Sequence, residues 1–231
     1  MRLLPTAVSG RKLGGMLCLL GVPRWAVLQY HAVLARHGQW MLWNTLLALI
    51  PLALAWFLLR RERQRTARWW LGVGTAVAFL PNAPYVLTDV IHFFNDVRRG
   101  ADDLQALTVL APVYAGFIAV GFGAYAATLR MTRRYLAALG WTRRRSAVVE
   151  LTLHASSAVG VYLGRVVRLN SWSLLTDPRG VLHSLVAMLN SYTIVAILVA
   201  FGVLVAGEIV VEAIYDGLRV RFLRNGFGLG R

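Results

Sequence analysis

Residues 80–92 read Leu80-Pro81-Asn82-Ala83-Pro84-Tyr85-Val86-Leu87-Thr88-Asp89-Val90-Ile91-His92. The stretch closes an apolar run that begins at Trp69. Helix from 69 to 80 would be about 18 Å long, short of the roughly 30 Å hydrocarbon core of a bilayer. A crossing therefore needs the helix to continue to Thr88, through two prolines. Each proline lacks an N–H and crowds the carbonyl four residues back, and Pro84 disfavours helical angles at Ala83. The carbonyls freed near Val77 and Leu80 need partners, and Asn82, Tyr85 and Thr88 can supply them. Asp89 and His92 follow three residues apart, on one face of a continuing helix. Ionisable groups at a broken membrane helix are a site hypothesis.

The composition supports the bilayer reading. Of 231 residues, 58% are hydrophobic and 15% charged, where soluble domains have about 25% charged. Apolar runs occupy 13–34, 41–59, 69–87, 104–129, 147–167 and 181–205, and the last extends as helix to about Tyr215. The first is the weakest, because Pro23 and Arg24 interrupt it. The expected fold class is all-α: one polytopic transmembrane helix bundle over residues 1–231, of about six spans. Five spans is the alternative, and in both the span carrying Pro81 and Pro84 is broken. Arg2, Arg11 and Lys12 ahead of 13–22 resemble the start of a signal peptide, but no good small-x-small cleavage site follows. A first membrane segment or an amphipathic helix is expected there.

The net charge of +15 falls between the apolar runs. Arg60, Arg61, Arg63, Arg65 and Arg68 follow the second run. Arg130, Arg133, Arg134, Arg143, Arg144 and Arg145 follow the fourth, and Arg219, Arg221, Arg224 and Arg231 follow the last. These belong in the cytoplasm beside anionic lipid. The segment after the third run, with Asp89, Asp96, Asp102 and Asp103 against Arg98 and Arg99, belongs outside. Six spans put both termini in the cytoplasm, and five put the N-terminus outside. A bacterial inner membrane is the expected location, the bilayer is the expected partner, and nucleic acid is not. Cys18 is the single cysteine, so no disulfide forms within the chain.

The fifth run carries Glu150, His154, Ser156, Ser157 and Arg165. A charge at the centre of a span costs roughly 2.5–3.5 kcal/mol on insertion scales. Glu150 and His154 lie near the cytoplasmic end, where a pair reaching out to water is the plain account. Two ligands are not a metal site, and no metal or cofactor is assigned. Arg165 and Arg168 lie near the outer end, where arginine runs against the positive-inside trend. Asp89 is the nearest partner by depth, and an anion or lipid phosphate is the other. The candidate outer layer is Asn82, Tyr85, Asp89, His92, Arg165, Arg168, Asn170 and Asp177, with Trp172 beside it. The inner layer is Glu150 and His154, about 22 Å from Arg165 along a helix. Gly116, Gly121, Gly123, Gly160 and Gly164 suit close helix packing. Asp177-Pro178 reads as a turn, and Glu208, Glu212 and Asp216 line one side of the last helix as it exits, facing cytoplasmic arginines, as a solvated face. His31, His37 and His183 have no partner at ligand spacing, and no catalytic signature of a known hydrolase, metalloprotease or nucleotide-binding loop occurs.

Residues 80–92, with Tyr162-Leu163-Gly164-Arg165, Arg168-Leu169-Asn170-Ser171-Trp172 and Thr176-Asp177-Pro178, resemble the blocks of a bacterial membrane family, domain of unknown function 1361. The resemblance covers roughly residues 40–205 and implies a multi-pass inner-membrane protein, without a known activity. Three functional classes follow. The outer layer could bind or transport a small anion or lipid headgroup. It could serve an enzyme with Asp89 and His92 as its acid–base pair or metal ligands. It could be a structural clamp joining two spans through Asp89 and Arg165.

Overall fold

The computed structural model describes residues 24–59, 65–99, 103–167, 176–187 and 190–226, and every regular element among them is helical. Helix α1 is Arg24–Leu59 and α2 is Ala67–Phe79. Then come α3, Asn82–Tyr85, a 3₁₀ turn, Val86–Asp89, and α4, Val90–Arg98. The short α5, Asp103–Gln105, leads through a π turn, Ala106–Leu110, into α6, Ala111–Ala138. Helix α7, Arg143–Tyr162, ends in a π turn, Leu163–Val167. Last are α8, Pro178–Ala187, and α9, Ser191–Gly226.

Five stretches are long and apolar enough to cross a membrane: Leu28–Leu59, Ala67–Arg98, Asp103–Ala138, Arg143–Arg165 and Ser191–Arg221. The expected all-α bundle holds, with five such stretches among the described residues. Residues 24–34, expected in a separate first span, belong to α1, which continues through Arg36, His37 and Gln39. Those polar residues read as a connection, yet His37 is buried. The part of that span at 13–23 lies outside the described residues. Residues 181–187 are likewise not the start of the last span. They belong to α8, which is too short to cross. Asp177 begins that helix and is no simple turn: its Oδ1 accepts from Gly180 N at 2.9 Å, with Pro178 in the first helical position.

Local chemistry explains the ends. Thr66 and Thr142 cap α2 and α7, each accepting from the backbone N–H three residues on at 3.4 Å. Helix α6 closes with Gly140 at φ 76°. Gly140 N donates to Ala137 O at 2.9 Å and Trp141 N to Leu136 O at 3.0 Å, the paired bonds of a Schellman motif.

The proline segment bends without leaving helical geometry. Leu80 N donates to Val77 O at 3.3 Å, and Ala83 N to Leu80 O at 3.1 Å. The carbonyls expected to lack partners thus find them in tightened bonds from three residues ahead. Ala83 stays helical although Pro84 follows it. Its complete burial shows packing overriding the local preference.

By contacts the described chain forms two compact units. The first joins the residues up to Trp43 with Val90–Phe117, and the second joins Asn44–Asp89 with the residues from Ile118 onward. The second has a core of Ala48, Leu80, Ala83, Phe122, Tyr125, Leu129, Ala158 and Leu204. Two glycines make room for the proline segment there. A Cβ on Gly121 would meet Val86 at 2.6 Å and the Ala83 carbonyl at 3.0 Å, and one on Gly160 would run into the Pro81 ring. Gly116 and Gly123 have no such neighbour within 4 Å.

Gly160→Leu should therefore lower stability by about 1–3 kcal/mol through overpacking. Gly123→Ala should leave it unchanged or raise it by up to about 1 kcal/mol. Thermal unfolding of the detergent-purified variants checks both, and equal behaviour of the two would contradict the packing account.

Candidate functional site

Two ionic groups lie in the second unit. The first is built on the proline segment. Asp89 is 2% exposed. Its Oδ1 accepts from Arg165 Nη2 at 3.0 Å and its Oδ2 from Asn44 Nδ2 at 3.1 Å. The π turn after α7 carries Arg165, whose guanidinium stands 5.0 Å from the centre of the Tyr85 ring, with Nη1 at 3.5 Å from the Tyr85 hydroxyl. Asn82 Nδ2 donates to Phe79 O at 3.1 Å, and Thr88 Oγ1 to Tyr85 O at 2.6 Å, so these side chains serve carbonyls of the bend other than the Val77 and Leu80 carbonyls expected to need them. Arg168, Asn170 and Trp172 lie outside the described residues. Asp177 is engaged in capping α8. The sequence reading missed Asn44, and its one signal is a lone amide within the apolar run 41–59.

The second group joins α6, α7 and α9. His154 is 1% exposed. Its Nδ1 lies 2.8 Å from the Tyr125 hydroxyl and its Nε2 3.1 Å from Glu208 Oε2. A carboxylate accepts, so the ring proton sits on Nε2 and Nδ1 receives the tyrosine O–H. Glu208 is itself buried. Arg133 Nη1 reaches Glu208 Oε1 at 2.9 Å and Glu150 Oε1 at 2.7 Å, and its Nη2 reaches Glu212 Oε1 at 2.8 Å. Arg130 pairs with Glu212, and its guanidinium lies 3.4 Å over the Tyr215 ring. Asp216, 67% exposed, stands 3.5 Å from Arg130. One turn beyond His154, Ser157 Oγ is buried and makes no hydrogen bond among the described residues.

Three expectations change here. Glu150 and His154 are not an interfacial pair reaching water, since His154 is enclosed and Glu150 points at a guanidinium. Glu208 and Glu212 are not a solvated face. Arg130 and Arg133 do not sit in a connection after residue 129, because α6 runs on to Ala138 with both inside it. The spacing was visible: Tyr125 and Arg133 are eight apart, Glu150 and His154 four apart, and Glu208 and Glu212 four apart, each pair on one helix face.

The donor atoms of Glu150, His154 and Glu208 lie within 4.8 Å of one another, a set that could hold a metal ion. Arg133 already bridges the two carboxylates, so an ion on all three ligands would have to displace a guanidinium.

The first unit has its own buried network. His37 Nε2 lies 2.9 Å from Asp96 Oδ2. Trp40 Nε1 donates to His37 Nδ1 at 3.1 Å, and the Tyr114 hydroxyl donates to Asp96 Oδ2 at 3.0 Å. His37 thus has the partner its sequence spacing did not reveal, and Asp96 lies on α4 and not in an outer loop. His92 belongs to this unit, with its ring centre 4.9 Å from that of Trp40.

The fold and these groups define a helical membrane protein with charges enclosed between its apolar helices. The chain belongs to the family described as Protein of unknown function (DUF1361), whose model matches residues 43–206. No curated protein and no solved structure matches it.

Asp89 is enclosed while the Arg165 side chain is 32% exposed, so removing the arginine strands a carboxylate in low dielectric, at a cost of about 3–5 kcal/mol. Arg165→Gln should lose about that much, Asp89→Asn less because the arginine can turn to water, and the double variant clearly less than the sum. Unfolding of the three variants in detergent measures this, and additive losses would show that the pair does not couple.

Proposed function

We propose that this protein is a bacterial inner-membrane protein of the binding or transport class. Its working site would be the Tyr125–His154–Glu208–Arg133–Glu150 group, and the species handled there a proton. The observation that carries this is a charge deficit beside an enclosed imidazole. Arg130 and Arg133 face Glu150, Glu208 and Glu212. Among the described residues, two guanidiniums against three carboxylates leave the group one positive charge short, while water screens the exposed Asp216. An unbalanced charge between membrane helices is costly. One proton, on a carboxylate or on His154, restores the balance. Tyr125, His154 and Glu208 form an unbroken hydrogen-bonded series along which it can move.

The expected anion or lipid-headgroup site at Arg165 has less support, because Asp89 already neutralises that guanidinium. The helix-clamp reading of this pair has direct support in its burial and bonding. For the enzyme reading, Asp89 is engaged with Arg165 and Asn44, and His92 packs against Trp40 in the other unit. Positive-inside orientation puts the arginine-rich connections in the cytoplasm. Five crossings among the described residues then put Arg24 outside and Gly226 inside.

The test is proton entry into vesicles holding the purified protein and an internal pH dye, driven by a potassium diffusion potential. Wild type and Asp216→Asn should conduct alike, and Glu208→Gln and His154→Ala should fall to the level of empty vesicles. Wild-type vesicles no leakier than empty ones, over pH 5–8, would refute the proton reading.

A further inference from the structure

The second unit also contains an apolar cavity of about 260 Å³, enclosed by α1, α2, α6 and α7. Its walls include Ala55, Leu58, Val73, Ala76, Leu136 and Leu153. Its polar groups are largely engaged already. Thr128 Oγ1 donates to Ala124 O at 2.8 Å, Thr132 Oγ1 to Thr128 O at 3.0 Å, and Trp69 Nε1 to Leu58 O at 3.1 Å. Ordered water needs two to four polar partners, and a lining this apolar offers it little. The space suits hydrocarbon.

The rim has a different chemistry. Arg65, Trp70 and Trp141 line it, and arginine and tryptophan are the side chains of the membrane–water boundary. The connection from α1 to α2 carries Arg60, Arg61, Arg63 and Arg65, and α7 opens with Arg143, Arg144 and Arg145. Of these arginines Arg65 lines the hydrocarbon-walled cavity, and Trp141, two residues ahead of Arg143, lines it too. We infer that the cavity holds one acyl chain of an anionic phospholipid, whose phosphate meets Arg65. Neither the proton reading nor the Asp89–Arg165 pair is needed for this.

The experiment is native mass spectrometry of the full chain, stripped of lipid in detergent and offered phosphatidylglycerol or phosphatidylcholine of equal chain length. Wild type should retain one phosphatidylglycerol per chain, about fivefold over phosphatidylcholine, the factor one arginine beside an anionic lipid supplies. Ala76→Trp fills the cavity and should lose that lipid. Arg65→Gln should keep a lipid and lose the preference. Equal retention of the two lipids by wild type, or undiminished retention in Ala76→Trp, would assign the lipid to the general surface and overturn the proposal. A lipid-free dimer would overturn it in favour of a second copy as occupant. Should Ala76→Trp fail to fold by circular dichroism, Arg65→Gln decides, since its side chain is exposed. An unchanged preference there overturns the proposal.

Discussion

Arg133 binds carboxylates from two other helices, Glu150 of α7 and Glu208 and Glu212 of α9. In water such contacts would contribute little. Between apolar helices the balance differs, because a charge without a partner costs several kcal/mol and cannot turn to solvent. The arginine therefore constrains three helices together. Helix α6 must present Arg133 and Tyr125 to one side, α7 must present Glu150 and His154, and α9 must present Glu208 and Glu212. These requirements fix the rotation of each helix, which apolar packing alone leaves loose. They also explain why α6 continues past its apolar run to Ala138: Arg130 and Arg133 are paired with carboxylates of the bundle and do not have to escape to water.

The proline segment obeys the same rule for the backbone. With no water to accept hydrogen bonds, a break in a membrane helix must be repaired locally. Here the repair uses bonds from three residues ahead at Val77 and Leu80, a side-chain amide on Phe79 O, and a hydroxyl on Tyr85 O. The bend then occupies space that side chains would otherwise fill, and Gly121 and Gly160 leave that space open. Sequence features eighty residues apart thus serve one distortion, which sets Asp89 opposite Arg165.

The membrane class, the helical fold and the bend could be read from the chain, because each follows from runs of neighbouring residues. The Asp89–Arg165 pair was also within reach, since depth along two crossing helices limits the partners of a misplaced arginine. The His154 group was only half legible. Its helical spacings were plain, but whether Glu208 meets water or His154 depends on the rotation of α9, which is hydrophobic on all sides and gives no amphipathic signal. His37 and Asp96 were lost for a related reason: a polar stretch within an apolar pattern reads as a connection unless its partner is known, and that partner lies 59 residues on. Residue spacing detects partners within one helix and is silent about partners on another.

Helix α7 carries both ionic groups of the second unit, and their charge balance separates their roles. His154 and Arg165 are eleven residues apart, about 16 Å along the helix. At Arg165 a single guanidinium meets a single buried carboxylate whose second oxygen is taken by Asn44. Among the described residues that group is balanced, one guanidinium to one carboxylate bonded through both oxygens. At His154 the carboxylates outnumber the guanidiniums among the described residues, and the imidazole is hydrogen-bonded through both nitrogens, to Tyr125 and to Glu208. A balanced pair favours one arrangement and holds helices in place. An unbalanced group holds its charge at a cost, and in the proposed proton reading the same low dielectric that makes the first pair a lock would make the second responsive to a proton arriving or leaving.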